Sequence, residues 1–533
     1  MMKQEVLLGD EAVALGAIQA GLSGGYSYPG TPASEIMEFL IKAAEKEKSF
    51  KASWSVNEKV AFEEALGISY AGKRALVSMK HVGLNVAADP FINPALTGAN
   101  GGLVVVVADD PSMHSSQNEQ DSRYYAQFAQ VFCFEPSDHQ EAYDMAREAF
   151  DASEKLGLPV LLRMVTRLSH SRSRVKPRPP RKQNALSLGI GQDWTLLPVN
   201  ARRRFRILVD KQQDLVRMSE ESKFNSLELN EKNTAFGIIA SGVAYNYVLE
   251  NYADEEEKPS ILKVSTYPVP KASIRDLVEH VDSILVVEEG YPFIERTLSG
   301  LFGIHNKDLR GKLRGDLPMT GELSPEIVRQ ALRMESLKRR SIGEFSLPAR
   351  PPQLCAGCPH ADTYKVLNKA LESYPQSNVF SDIGCYTLGA LPPYNAIHSC
   401  VCMGASIGMA KGGSEAGIKP AVAVIGDSTF AHSGLTPLLD AAASDTDMTV
   451  IILDNATVAM TGGQPTYASG EGLLRMIEGL GVQKEHIRVI EPLPKNFEQN
   501  LQIMKEEISH QGLSVIVAVR ECVQEARKKR RAS

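Results

Sequence analysis

Short aliphatic runs, each too brief for a helix and each followed by an amphipathic stretch, recur along this chain at 103–108, 159–163, 236–241, 283–288, 421–425 and 449–453. Strands with so little polar alternation are covered on both faces, which takes crossover helices, so the pattern predicts an α/β protein with mainly parallel sheets. A single hydrophobic core stops growing well below 533 residues, and several domains are expected. Two stretches read as linkers. One is 169–182, where Pro177, Pro179 and Pro180 block a helix and favour an extended, solvated path or a docking strip; the other is 347–352. A charged helix is expected around 201–218, and the basic run 527–531 reads as a solvated tail or a docking point for an acidic partner.

The net charge of -6 provides no broad basic field, which argues against a nucleic-acid partner. The first residues, Met1-Met2-Lys3-Gln4-Glu5, lack a signal pattern, and no later run is long enough to span a bilayer, so a cytoplasmic protein without membrane contact is expected. Seven cysteines in so long a chain do not make a disulfide framework; they point to buried thiols, catalysis or metal binding.

Chemistry concentrates at strand ends. Gly426-Asp427-Ser428 follows one apolar run and Asp454-Asn455 follows the next, which puts oxygen ligands at the edge where parallel sheets bind ligands. The Asp427 carboxylate, the Asn455 amide oxygen and the Thr457 carbonyl would give Mg2+ three of its six oxygens and leave room for two phosphate oxygens and a water. This arrangement resembles the motif of thiamine diphosphate enzymes, with Ser428 in place of a glycine and Asp454 in place of an asparagine. The continuation Ala459-Met460-Thr461-Gly462-Gly463-Gln464 is similar to that of 2-oxoacid:ferredoxin oxidoreductases. Gly426, Ser428, Met460 and Thr461 thereby join the expected cofactor contacts.

In Trp54-Ser-Val-Asn-Glu58-Lys-Val-Ala-Phe-Glu-Glu-Ala, Glu58 stands just inside an expected helix whose apolar face includes Val60, Ala61 and Ala65. A glutamate there is commonly a dipole or capping partner. The segment is closely similar to one in large subunits of indolepyruvate:ferredoxin oxidoreductases, where the matching glutamate polarises the aminopyrimidine; Glu63 and Glu64 compete for that role. Further matching stretches are Ser27-Tyr28-Pro29-Gly30-Thr31-Pro32, 79–86, 108–111 and 114–117. The resemblance implies that Thr31 meets the substrate carboxylate and that Lys80 and His81 make polar contacts in the pocket. His81 also reads as a histidine satisfied by neighbouring backbone, and His114 is a weaker candidate.

Cys355-Ala-Gly-Cys358 needs two more soft ligands to hold a metal centre. The resemblance implies a [4Fe-4S] cluster on Cys355, Cys358, Cys385 and Cys522; a zinc set, a redox dithiol and plain thiols remain alternatives. Cys133, Cys400 and Cys402 read as core cysteines. Large subunits of this family commonly carry a ferredoxin-like tail, which does not follow Cys522 here, so electrons are expected to pass to ferredoxin or to a separate iron–sulfur or flavin subunit.

Across the chain the resemblance implies three domains: an aminopyrimidine-binding domain (1–185), a helical linker with a transketolase-C-terminal-like domain (186–345) and a diphosphate-binding domain (346–533). It implies oxidative decarboxylation of an arylpyruvate such as indolepyruvate to the aryl-acetyl-CoA, with coenzyme A as co-substrate. The expected assembly contains a smaller oxidoreductase subunit and a homodimer of this chain. A non-oxidative thiamine-dependent lyase is the nearest rival, and a non-catalytic subunit a more distant one.

Overall fold

A seven-stranded sheet organises the first part of the chain. Its order is Thr266–Tyr267, Cys133–Phe134, Val160–Val165, Leu103–Asp109, Ala75–Lys80, Gly24–Ser27 and Lys51–Trp54. All pairs are parallel except the first, which is antiparallel. Ala75–Lys80, Leu103–Asp109 and Val160–Val165 are buried along their whole length, which is why their sequences show no polar alternation. From Gly24–Ser27 the chain winds outward to Lys51–Trp54 and then returns past its start to Ala75–Lys80. The winding direction therefore reverses between Gly24–Ser27 and Ala75–Lys80, and such a reversal opens a crevice at the carboxyl ends of the two strands.

This computed structural model describes residues 4–189, 191–255, 257–300, 304, 307–336 and 352–532. It divides into two compact units, Met1–Ser341 and Ile342–Ser533. Residues 347–351 of the expected linker lie outside the described residues.

The first unit holds a second sheet, in the order Asp308–Arg310, Ser283–Val287, Phe236–Ser241, Ser260–Val264 and Ser226–Glu228, parallel apart from the last pair. Between the two sheets lies a set of fully buried charges. Arg163 Nε donates to Asp109 at 2.7 Å and its guanidinium also bonds Glu135; Arg123 donates to Glu288 at 2.8 Å and to Asp121. Charges taken from water are tolerable only when paired, and these pairs join strand ends of both sheets.

The segment 169–182 is mostly exposed, as its composition suggests, but it is not loose. Arg172–Val175 pairs antiparallel with Glu5–Leu8. Beyond it the chain is irregular, as its prolines require, yet pinned: Arg181 N donates to the Gln19 carbonyl at 2.8 Å and the Gln183 amide to Leu22 O at 2.7 Å. The expected charged helix runs from Pro198 to Glu220 and buries Leu208 and Leu215.

The second unit carries one wholly parallel sheet, in the order Asn378–Ser381, Ala421–Gly426, Met448–Asp454, Leu513–Val519 and Ile487–Ile490. Parallel winding delivers the residues that follow the first four of these strands, among them Cys385, Asp427, Asn455 and Cys522, to one edge. Among the described residues no helix is long and apolar enough to cross a membrane.

Candidate cofactor sites

In the first unit the turn after Gly24–Ser27 carries Thr31 to the reversal point, beside the end of Ala75–Lys80. Lys80 is buried and donates to the Ser115 carbonyl at 2.7 Å, while the Ser115 hydroxyl donates to Thr31 O at 3.3 Å. Gly30 packs so closely that a Cβ there would stand 3.2 Å from Lys80 Cβ. Burial pulls the Lys80 ammonium down to about 8, with Asp110 and Glu58 pulling the other way. A lysine tuned toward neutrality beside a crevice is a feature of binding and catalytic sites.

His81 is buried, and its Nε2 lies 3.1 Å from the Asn118 carbonyl oxygen, so that nitrogen carries the proton. Its Nδ1 is buried with no hydrogen-bond partner, so backbone satisfies only one side of the ring. Glu58 opens the helix Glu58–Tyr70, whose first turn is capped by the Asn57 side chain accepting from Val60 N at 2.9 Å. At 6% exposure the Glu58 side chain lies against Gly83, where a Cβ would come within 2.6 Å of its Oε1. Glu63 and Glu64, by contrast, are exposed and bond Lys59 and Ser55. His114 is exposed and reaches Glu322 at 3.5 Å.

In the second unit Gly426 ends its strand where a Cβ would meet the Tyr386 ring at 2.6 Å, so glycine is required by close approach. Asp427 follows, with Oδ1 accepting from Ser428 N at 2.7 Å and Oδ2 buried without a hydrogen-bond partner. Burial, with Asp454 nearby, raises its carboxyl well above the ordinary range. Asp454 itself is structural: its two oxygens accept from Ala456 N at 3.1 Å and Gly470 N at 2.7 Å. Asn455 Oδ1 accepts from Thr457 N at 3.2 Å. Thr461 bonds Gln464, and Met460 is half exposed.

Cys355, Cys358, Cys385 and Cys522 line one cavity of about 170 Å3 together with His360, Asn455 and Gln524. Gln524 Nε2 donates to Cys355 Sγ at 3.3 Å, and Lys528 ties the C-terminal helix to the Gly462 carbonyl at 2.9 Å. Burial and the neighbouring thiols push Cys385 up to about 12. None of the four is in a disulfide. Among the described residues no three His, Cys, Asp or Glu side chains stand at metal-holding spacing. The reading of three core cysteines holds for Cys133 only: Cys400 is half-buried and Cys402 exposed, both on irregular chain before the helix Ala405–Glu415.

Both cofactor candidates pass a chemical fit test. A buried carboxylate oxygen with no protein partner, beside an amide oxygen with a spare lone pair, suits a hard cation. Four thiols outside any disulfide, around one cavity, suit a thiophilic centre in their donor chemistry. Sequence reasoning passed over His360, Gln524 and Tyr386. Only His360 had a local signal, its place in Cys358-Pro-His.

Matches to known families fall on these same regions. Residues 15–190 match the pyruvate flavodoxin/ferredoxin oxidoreductase thiamine-diphosphate-binding family, and residues 382–518 match the C-terminal thiamine-pyrophosphate-binding domain of thiamine pyrophosphate enzymes. Two mainly parallel sheets with polar groups at their carboxyl edges, each in a thiamine-diphosphate-binding region, define a thiamine-diphosphate-binding protein of the oxidoreductase type. Indolepyruvate oxidoreductase subunit IorA of Archaeoglobus fulgidus is 38% identical, across 97% of this chain and 86% of that protein. The same subunit of Pyrococcus abyssi is 37% identical, across 97% of this chain and 85% of that protein. The chain therefore belongs to the IorA family of indolepyruvate oxidoreductase subunits. A solved 2-oxoglutarate:ferredoxin oxidoreductase from Magnetococcus marinus shares the fold, with a TM-score of 0.51 and 16% identity, over 62% of this chain and 65% of that one.

Proposed function

We propose that this chain is the catalytic subunit of a thiamine-diphosphate-dependent oxidoreductase that decarboxylates an arylpyruvate, with indolepyruvate as the reference substrate, and yields the aryl-acetyl-CoA. The observation that carries the reading is membership of the IorA family, together with Asp427 and Asn455 at adjacent strand ends and four cysteines lining the cavity that Asn455 borders. When bound, thiamine diphosphate supplies the carbanion chemistry that lets a 2-oxoacid lose carbon dioxide.

The protein's part is to position groups and move protons. Glu58 would hold a proton at its buried carboxyl for the aminopyrimidine, and Gly83 leaves the space it needs. Lys80, charged below about pH 8, would pair with the substrate carboxylate, with Thr31 beside it and the unpartnered Nδ1 of His81 available as a further polar contact. Asp427, Asn455 and the Thr457 carbonyl would hold Mg2+ on the diphosphate, with Gly426, Ser428, Met460 and Thr461 as further contacts. Cys355, Cys358, Cys385 and Cys522 would hold a [4Fe-4S] cluster. Electrons would leave to ferredoxin or to a partner redox subunit, within a cytoplasmic heteromer built on a dimer of this chain and a smaller subunit. The three-part division at 185 and 345 belongs to the same proposal.

Anaerobic analysis of iron, sulfide and thiamine diphosphate, with visible spectra before and after arylpyruvate and coenzyme A, tests the reading. Thiamine with about four irons per chain, bleached by substrate, is the expected result. Thiamine without iron would remove the cluster and favour a non-oxidative lyase.

A further inference from the structure

A buried histidine joins the cysteine-lined cavity to the strand end that carries Asn455. His360 stands at the start of the helix Pro359–Leu371, two residues after Cys358, and is only 4% exposed while lining the cavity. Tyr386 meets its ring edge-on, with centroids 6.3 Å apart and planes at 85°. The Nε2 atom lies 3.2 Å from Asn455 Nδ2. An amide nitrogen can only donate, so Nε2 must be the acceptor and the ring proton sits on Nδ1.

That contact and one from Thr457 N together decide which way the Asn455 amide faces. With Nδ2 committed to His360, Oδ1 points to the opposite side, where it accepts from Thr457 N at 3.2 Å and keeps a second lone pair. The two ends of a carboxamide have nearly the same size, so packing alone would hold either orientation, and hydrogen bonds choose between them. The main chain of Asn455 is held from the same cavity, because its carbonyl accepts from Cys522 N at 3.3 Å.

We infer that His360 is a positioning residue that, by accepting from the Asn455 amide, keeps the amide oxygen turned toward a divalent cation and so links cation affinity to the wall of the cysteine cavity. The inference rests on Asn455 being a cation ligand, as proposed above. Partners that orient a metal ligand typically contribute about 10- to 100-fold to metal affinity.

The test is a Mg2+ titration of thiamine diphosphate binding by calorimetry on the purified full-length protein with whatever subunits accompany it, with iron content and thermal midpoint measured on every sample. H360L, which fills the space without an acceptor, should raise the Mg2+ concentration at half-saturation about tenfold or more. H360Q, whose amide oxygen can again accept from Asn455, should stay within about threefold of wild type at unchanged iron. H360F replaces H360L, with the same expectation, if the leucine variant does not fold. Wild-type titration by H360L, or equal weakening in H360L and H360Q, would overturn the inference. A separate D427N control isolates the underlying reading: if D427N retains Mg2+-dependent binding, the cation site itself has been misassigned, whatever His360 does.

Discussion

In the first unit Lys80, Ser115 and Thr31 lean on one another and His81 leans on Asn118, so the cluster is largely held by protein atoms. In the second unit Asp427 keeps a buried carboxylate oxygen with no hydrogen bond, and four thiols face one cavity with no disulfide among them. A buried polar group without a partner weakens a fold, and on the proposed function a cation would supply the partner that the Asp427 oxygen lacks. On the proposed function, the first unit would present a preset surface for a substrate and a proton, and the second a socket that its cofactors would complete.

Substitutions on the two sides should separate these roles. The largest effect is expected for E58Q, which keeps shape but loses the exchangeable carboxyl proton: kcat should fall about 10²- to 10⁴-fold with thermal stability nearly unchanged. A fall below tenfold would end the assignment of Glu58. D427N should weaken Mg2+-dependent thiamine diphosphate binding about 100-fold or more, and the thermal midpoint of the cofactor-free protein should not drop, since a buried unmatched carboxylate is removed. Loss of stability without loss of binding would reverse the contrast between the units.

K80M should lower kcat/KM about 10- to 100-fold, the range for a hydrogen bond to a charged group. In the wild type Lys80 is charged below about pH 8, so kcat/KM should decline as pH rises through that value, and K80M should lack the decline. The smallest effect concerns a group outside both clusters. Burial raises Glu289 from 4.5 to about 7, against the pull of Lys312, so the folded chain holds this proton more tightly than the unfolded one. Stability is therefore fullest below about 4.5 and falls as pH rises toward 7, and E289Q should flatten that slope by roughly 1–2 kcal/mol in urea melts across the window.

Much of this organisation could be read directly from residues. The runs ending near Asp109, Gly426 and Asp454 lie in fully buried strands, where aliphatic density is the signal. Gly24–Ser27 and Asn378–Ser381 escaped because four residues rich in Gly, Ser or Asn carry no such density, and yet they place Thr31 and Cys385. At Glu58 the sequence named three carboxylates, and burial separates them geometrically, leaving Glu63 and Glu64 outside. The Arg123 and Arg163 pairs could not be foreseen, because their partners at Glu135 and Glu288 come from distant strands and only the topology brings them together. The part played by His360 was not legible for a related reason: its place in Cys358-Pro-His gives no sign of its partner Asn455, which lies at a distant strand end.

Thr266–Tyr267, two residues between the strands of the second sheet, lie along the outer margin of the first sheet and pair with Cys133–Phe134. A chain severed near 185 would strip that margin and present bare N–H and C=O groups to any other extended peptide, the usual starting point of sheet-to-sheet aggregation. The first sheet is thus bordered by its neighbour in sequence, and a soluble fragment of it should need residues through Tyr267. In that sense the middle of the chain acts as a selvedge, finishing a fabric woven almost entirely from the first 165 residues.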